Sequence, residues 1–300
     1  MNNVAAVIVT YNRLNMLKKC VSAVEGQSFK CDIILVDNAS TDGTGEWSST
    51  YLSNTDINYF NTGSNIGGAG GFNFGMKKAV QLGYDYIWIM DDDCMPKADA
   101  LEKMMDADNI LGGSSNYGYL SSVVLWTDGS ECKMNRQKIK KSYYENVQLL
   151  KDTIVQVEQS TFVSLLFPAE TIKKVGLPIK DFFIWGDDIE FTRRITVSNS
   201  IPSFMVGDSQ VIHAMKENTG SSIATDYQDR IDRYKYAFRN EAYLYRQEGI
   251  KGIAYYIAKC GLNFFRILFN AKNYRLKRIH VLFSSMLKGL FFNPNVDKVN

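Results

Sequence analysis

The stretch Ile87 to Pro96, IWIMDDDCMP, constrains this chain more than any other. Apolar and aromatic residues run straight into three consecutive aspartates, and a proline follows. Such a run predicts a buried strand of a parallel sheet, with Asp91, Asp92 and Asp93 where it ends. Ligands of open α/β sheets bind outside the carboxyl ends of the strands. Three adjacent carboxylates repel one another, and burying them unpaired is costly. A divalent cation with its phosphates resolves that cost most simply.

The residues before this strand repeat one pattern. Val4 to Thr10 is a β-branched apolar run ending at Tyr11, Asn12 and Arg13, after which Leu14, Leu17, Val21 and Val24 recur at helical spacing. Ile33 to Val36 reads as a second strand and ends at DNASTDG. A third, near Ile57 to Phe60, leads into NTGSNIGGAGGFNFG and a helix over 71–82. Strands alternating with helices at this spacing predict a Rossmann-like parallel sheet. Taken singly, each loop has an ordinary reading. TYNR fits any strand-to-helix turn with Asn12 as N-cap, and DNASTDG is rich in turn formers. The glycine cluster has Asn73 at the last position of G-x-G-x-x-G, so it is no dinucleotide fingerprint. Its glycines, Gly68 among them, instead let backbone approach a ligand closely or open a helix toward phosphate.

In this order, VIVTYNR, VDNASTDGT, NIGGAGGF and DDD resemble the nucleotide-binding half of family 2 glycosyltransferases of the GT-A fold. The resemblance spans roughly residues 4 to 215. It implies an α/β, Rossmann-like and mostly parallel sheet, with a helical C-terminal appendage here. It also implies that Thr10, Tyr11, Asn12, Arg13 and Asp37 hold the nucleoside and that Asn65 and Gly68 lie by the nucleotide sugar. Asp91 and Asp93 represent the Asp-x-Asp element beside ribose, diphosphate and metal. Asp92, between them, faces ribose or sugar.

Further along, FFIWGDDIEFTRR carries aromatic residues into Asp187, Asp188 and Glu190, followed by Arg194. By itself this is also an acid-decorated helix N-terminus, favoured by the helix dipole. It resembles the family's aromatic-x-Glu-Asp-x-Asp element, which makes Asp188 the catalytic base and puts Trp185 and Asp187 beside sugar or acceptor. His213 follows a short apolar strand, and the resemblance assigns it with Asp91 and Asp93 to an Mn2+ or Mg2+ ion. DDD, GGxGGF and the Trp185–Glu190 acids look most like galactofuranosyltransferases, although Gly186 is a spacer that their pattern tends to lack. The expected activity is inverting transfer of galactofuranose from UDP-galactofuranose to a glycan hydroxyl. A rhamnosyltransferase using dTDP-rhamnose and a nucleotide-sugar-binding protein without turnover are the alternatives.

Composition narrows the setting. A formal net charge of +2 carries no nucleic-acid signature, and five scattered cysteines without a CxxC pair suit a reducing compartment. The opening MNNVAAVIVTYN has no basic start and only a short apolar run, so no secretory signal is expected. The catalytic domain is expected over 1–226, divided into a nucleotide-sugar half (1–97) and an acceptor half (98–226). Residues 227–300 are expected to be helical. Between Gly249 and Leu290 there is no acidic residue, while Lys251, Lys259, Arg266, Lys272, Arg275, Lys277, Arg278 and Lys288 alternate with aromatic and aliphatic side chains. That predicts an amphipathic helix pair on a membrane surface, or packing against the catalytic domain or a second copy in a homo-oligomer. The expected location is the cytoplasmic face of a membrane, where a lipid-linked acceptor would be anchored.

Overall fold

The computed structural model describes residues 3–52 and 57–299. Its first half is built as the periodicity predicts. Strands β1 (Val4–Thr10), β2 (Asp32–Asp37), β3 (Asn58–Asn61) and β4 (Tyr86–Asp91) are parallel, in the spatial order β3-β2-β1-β4. Every residue of β1 is buried, as expected for the central strand of a sheet covered on both faces. Helix α1 (Leu14–Glu25) buries Leu17, Cys20, Val21 and Val24 on one stripe, and α2 (Thr44–Leu52) connects β2 to β3.

Helix α3 (Gly67–Gln81) starts four residues earlier than its apolar pattern suggests. Its glycines explain how closely it lies on the sheet. A Cβ on Gly71 would stand 2.5 Å from Cγ1 of Val9, and one on Gly75 2.4 Å from Cγ1 of Val7. The glycine-rich sequence therefore seats a helix on β1 as well as shaping a loop. Asn73, at the position where a dinucleotide fingerprint needs glycine, is buried and donates to the Pro178 carbonyl at 2.7 Å.

Beyond β4 the sheet becomes mixed. It continues β4-β9-β6-β10-β8-β7, with β6 (Leu120–Leu125), β7 (Lys138–Ile139), β8 (Ile154–Gln159), β9 (Leu165–Pro168) and β10 (Ser203–His213). Only β6 and β10 are parallel there. The stretch from Glu131 to Asn146 folds as short 3-10 turns around β7. Strand β10 is longer than its short apolar signature because a bulge between Val206 and Gln210 lets it change partners. Past the bulge it pairs antiparallel with β5 (Cys94–Pro96), the three residues after the aspartates. Helices α4 (Ala100–Ile110), α5 (Ala169–Val175) and α6 (Asp187–Arg193) complete this part.

The chain ends in α7 (Tyr234–Arg246), α8 (Gly249–Asn270) and α9 (Arg275–Phe291). These helices, with Ile231 from the 3-10 turn before them, have a core of their own that includes Phe238, Tyr256, Cys260, Ile267 and Leu282, apart from the two clusters that flank the sheet. Among the described residues no helix is long and apolar enough to cross a membrane. The basic set is partly consumed internally. Arg278 is buried and donates to the carbonyls of Ile223, Asp226 and Asn273, Lys259 pairs with Glu241 and Lys277 with Asp232. Lys277 nevertheless stays exposed, as do Lys251, Arg266, Lys272, Arg275 and Lys288.

Candidate active site

The register of the parallel strands brings the sequence loops together. Val9 lies opposite Asp91 and Thr10 opposite Asp37, so the ends of β1, β2 and β4 stand side by side. Thr10 Oγ1 donates to Asp92 at 2.7 Å, and the Arg13 guanidinium reaches Asp92 at 3.3 Å and also contacts Asp93. Asp92, which the Asp-x-Asp reading left between two ligands, thus ties the first loop to the aspartate run. Asn12 has a left-handed backbone (φ 54°) and does not cap α1. Its side chain accepts from the Thr41 N–H at 2.7 Å, its own N–H donates to Ser40, and Asp42 takes the Leu14 N–H. An exposed polar Asn tolerates this conformation and cross-links two loops.

Asp37 is fully buried. Its carboxylate accepts from the Ser40 N–H at 2.9 Å, the Tyr59 hydroxyl at 2.8 Å and Asn61 at 3.4 Å. Tyr11 is exposed at the mouth of the loop. Asn65 is exposed and accepts the Gly67 N–H, closing the turn into α3, while nothing stands within 4 Å of the open side of Gly68.

Pairing of β5 with β10 sets His213 opposite Cys94, and the Ala214 N–H donates to the Asp93 carbonyl. His213 Nε2 consequently lies 3.1 Å from Asp93 Oδ1, and its Nδ1 lies 2.8 Å from Asn135 Oδ1. Burial would raise the Asp93 carboxyl, but His213 and Arg13 overcome it and hold the group at about 2. Burial would lower His213, yet the bond to Asp93 lifts it to about 10. Asp91 is raised to about 8 by burial and by the charge of Asp93. Asp92 is pushed to about 6 by burial, restrained by Arg13 and Thr10.

Asp91, Asp93 and His213 do not stand as a three-ligand cluster. Among the described residues no three His, Cys, Asp or Glu side chains are grouped to hold a metal ion. Asp93 and His213 face each other, whereas Asp91 feels both charges without a hydrogen bond to either. The donor set still suits a divalent cation that draws further oxygens from phosphate. Asn135 on the far nitrogen is the outer partner that orients a ligating imidazole. Spacing gave no hint of Asn135, because it enters from the turn before β7, 78 residues from His213.

On the facing side, the residues after Phe182 adopt an unusual backbone. Phe183, Trp185 and Gly186 have φ of 64°, 65° and 88°, a conformation that costs a non-glycine residue free energy. Helix α6 then begins with Asp187 buried and Asp188 half-buried. Asp188 Oδ1 accepts the Ile189 N–H at 2.8 Å, yet burial keeps its carboxyl at about 6. Burial and the neighbouring Asp188 charge drive Asp187 far higher, and Asp91 adds to that shift. Burial therefore opposes ionisation of both carboxyls, more strongly at Asp187 than at Asp188, so Asp188 is the readier of the pair to carry the charge.

Two residues of the acidic motif are structural. Glu190 and Arg194 form a buried bidentate pair at 2.9 and 2.5 Å, and Arg194 also donates to the Val175 and Leu177 carbonyls. Trp185 packs on Tyr234 with ring centres 5.1 Å apart. The glycine loop meets this segment directly. The Ala69 N–H donates to the Phe183 carbonyl at 3.2 Å, and a Cβ on Gly67 would lie 2.1 Å from that oxygen.

Residues 5–112 match the family model described as Glycosyl transferase family 2. Galactofuranosyltransferase GlfT1 of Mycolicibacterium smegmatis is 28% identical over 268 residues, covering 83% of this chain and 84% of that protein. Among solved structures, GalNAc-T7 with UDP, GalNAc and Mn2+ superposes with a TM-score of 0.60 at 15% identity, over 79% of this chain and 51% of that one. TarS of S. aureus gives 0.55 at 13% identity, over 97% of this chain and 44% of that one. This chain spans about half the length of those two structures, and at such identity they speak for the fold alone. The parallel half-sheet, the aspartate run at its edge and these likenesses give the chain the GT-A fold with a family 2 glycosyltransferase domain over residues 5–112, and make it a glycosyltransferase related to the GlfT1 galactofuranosyltransferases.

Proposed function

We propose that the chain transfers galactofuranose, with inversion, from UDP-galactofuranose to a hydroxyl of a lipid-linked glycan. The convergence of loops from both halves carries this reading. Ala69 at the head of α3 bonds to Phe183, and the Asp187 carboxyl feels the charge of Asp91, which supports donor-side and acceptor-side acids serving one site. Thr10, Tyr11, Asn12, Arg13 and Asp37 line its nucleoside end. Asn65 and Gly68 border the sugar-diphosphate, together with Asp91 and Asp92. Asp93 and His213, with Asp91 nearby, would hold an Mn2+ or Mg2+ ion, which when bound neutralises the charge growing on the diphosphate leaving group.

Asp188 then acts as general base. It takes the proton of the acceptor hydroxyl as that oxygen attacks the anomeric carbon from the side opposite the diphosphate. The bond from carbon to phosphate oxygen breaks, UDP leaves with the electron pair, and the anomeric configuration inverts. Burial and the Asp188 charge both oppose ionisation of Asp187, which limits the second negative charge beside the base and leaves Asp187 to contact sugar or acceptor. Trp185 presents the edge of an aromatic wall from the same loop.

The helical region supplies the membrane contact of this proposal. Ile250 (87% exposed), Phe269 (77%) and Phe291 (86%) stand in solvent on α8 and α9, near Lys251, Lys272 and Lys288. Apolar side chains with a basic surround suit an anionic lipid surface and would hold the enzyme where its acceptor is anchored.

A donor panel tests the assignment: UDP-galactofuranose, UDP-galactopyranose and dTDP-rhamnose, with the product anomer read by NMR. Turnover confined to UDP-galactofuranose with an inverted anomer is expected. Preference for dTDP-rhamnose, or retention of configuration, would overturn it.

A further inference from the structure

The backbone that delivers Asp188 is strained, and something must hold it. Phe183 (φ 64°, ψ −57°) is the centre of a γ-turn closed by the Ile184 N–H on the Phe182 carbonyl at 2.7 Å. This hand of γ-turn is rare and unfavourable. Trp185 and Gly186 add two more left-handed residues before α6 begins. Such conformations persist only where surrounding contacts over-determine them.

Those contacts come from α7, more than fifty residues downstream. Asn240 is fully buried, and its amide Nδ2 donates to the carbonyls of Phe182 (3.0 Å), Ile184 (3.2 Å) and Trp185 (2.8 Å). Its Oδ1 accepts two bonds from the Arg239 guanidinium at 3.0 and 2.8 Å, which sets which way the amide faces. Arg239 also donates to the carbonyls of Asp181 and Phe182. Tyr236 stacks on Phe183 with ring centres 4.6 Å apart. With Ala69 on the Phe183 carbonyl, every carbonyl from Asp181 to Trp185 is taken by a donor outside the loop.

We infer that Asn240, oriented by Arg239, is a positioning residue for the reaction: it clamps the γ-turn and sets where Asp188 meets the acceptor hydroxyl. An asparagine suits the task because its single NH2 spans several carbonyls, and its own oxygen still has a partner. The catalytic consequence rests on Asp188 being the base, whereas the clamp itself rests on geometry alone. The helical region accordingly completes the active-site loop as well as offering a surface. A misplacement of the base by about 1 Å costs on the order of 100-fold in rate.

The test uses the full chain with Asn240→Ala, Asp188→Ala and the double variant. Hydrogen exchange reads the clamp without reference to chemistry. Peptides covering 182–188 should exchange faster in Asn240→Ala while those from β1 keep wild-type protection; unchanged exchange over 182–188 would overturn the clamp. Kinetically, kcat should fall about 100-fold with KM for the nucleotide sugar within two-fold of wild type. In the Asp188→Ala background the same change should cost no more than about two-fold, because residues that act as one unit are not additive. An equal loss in both backgrounds, or a raised KM with kcat unchanged, would overturn the positioning role. Should Asn240→Ala fail to fold, Asn240→Asp serves instead, since it keeps the volume and the Arg239 contact but sets carboxylate oxygens against carbonyls. Full kcat in that variant would equally sink the inference. High residual turnover in Asp188→Ala alone refutes the base, and the exchange result then still decides the clamp.

Discussion

Ionisation of Asp188 should govern the acid side of the pH–rate profile. Burial places its carboxyl at about 6 against an ordinary value of 3.8, while burial and the Asp188 charge raise the Asp187 carboxyl as well. A general base works only when unprotonated, so activity must rise with pH through this value. With a pKa of 6, about 9% of the base is ready at pH 5 and about 91% at pH 7, a roughly ten-fold rise in kcat. With an ordinary carboxyl, about 94% would be ready at pH 5 and the profile would be nearly flat. Steady-state kcat should be measured from pH 5 to 8 at saturating donor, acceptor and Mn2+. Asp188→Asn should lose roughly 10²–10⁴-fold in kcat, the usual worth of a positioned base. Asp92 also stands at about 6, so Asp92→Asn is run in parallel and should keep the limb. A wild-type profile flat between pH 5 and 7, or a limb that vanishes in Asp92→Asn but survives in Asp188→Asn, would refute the reasoning.

Three other perturbations separate the remaining roles. Arg194→Met should destabilise the fold by about 3–5 kcal/mol in a denaturant titration, because it strands Glu190 as a buried, unpaired carboxylate; a loss under about 1 kcal/mol would mean that water reaches the pair. His213→Ala should raise the Mn2+ concentration needed for half-maximal turnover about 10-fold or more, and an unmoved metal dependence would reduce His213 to a structural partner of Asp93. Phe269→Glu with Phe291→Glu should release the protein from anionic vesicles in a flotation assay without moving Tm, since both side chains lie in solvent. Undiminished flotation would remove the helical face from the membrane reading.

The first half of the molecule was legible because its signals are local. Apolar runs of four to seven residues with helical stripes between them predict strands β1, β2 and β4 and helix α1, and a parallel arrangement then aligns the strand ends without further information. Asp91–Asp93 could be placed at a sheet edge for the same reason. The acid-rich start of α6 was also visible, although nothing local distinguishes Asp188 from Glu190. One is left half-buried with a raised pKa, and the other is locked to Arg194, because only the packed carbonyls of Val175 and Leu177 fix where the arginine goes.

What the tertiary structure decided are the long-range pairings. His213 reaches Asp93 because, across a bulge, β10 keeps β6 on one edge and exchanges β8 for β5 on the other, and Asn135 reaches His213 from a turn with no periodicity at all. Arg278 and Lys259 read as surface charge in the sequence and are spent on carbonyls and a carboxylate within the helical region. The same holds for Asn240, an unremarked polar residue in a helix whose amide supports the strained turn before Asp188. Sequence determines which residues are apolar, flexible or charged within a few turns of chain. Which buried donor meets which orphaned carbonyl depends on packing across more than fifty residues, and only the assembled fold supplies that.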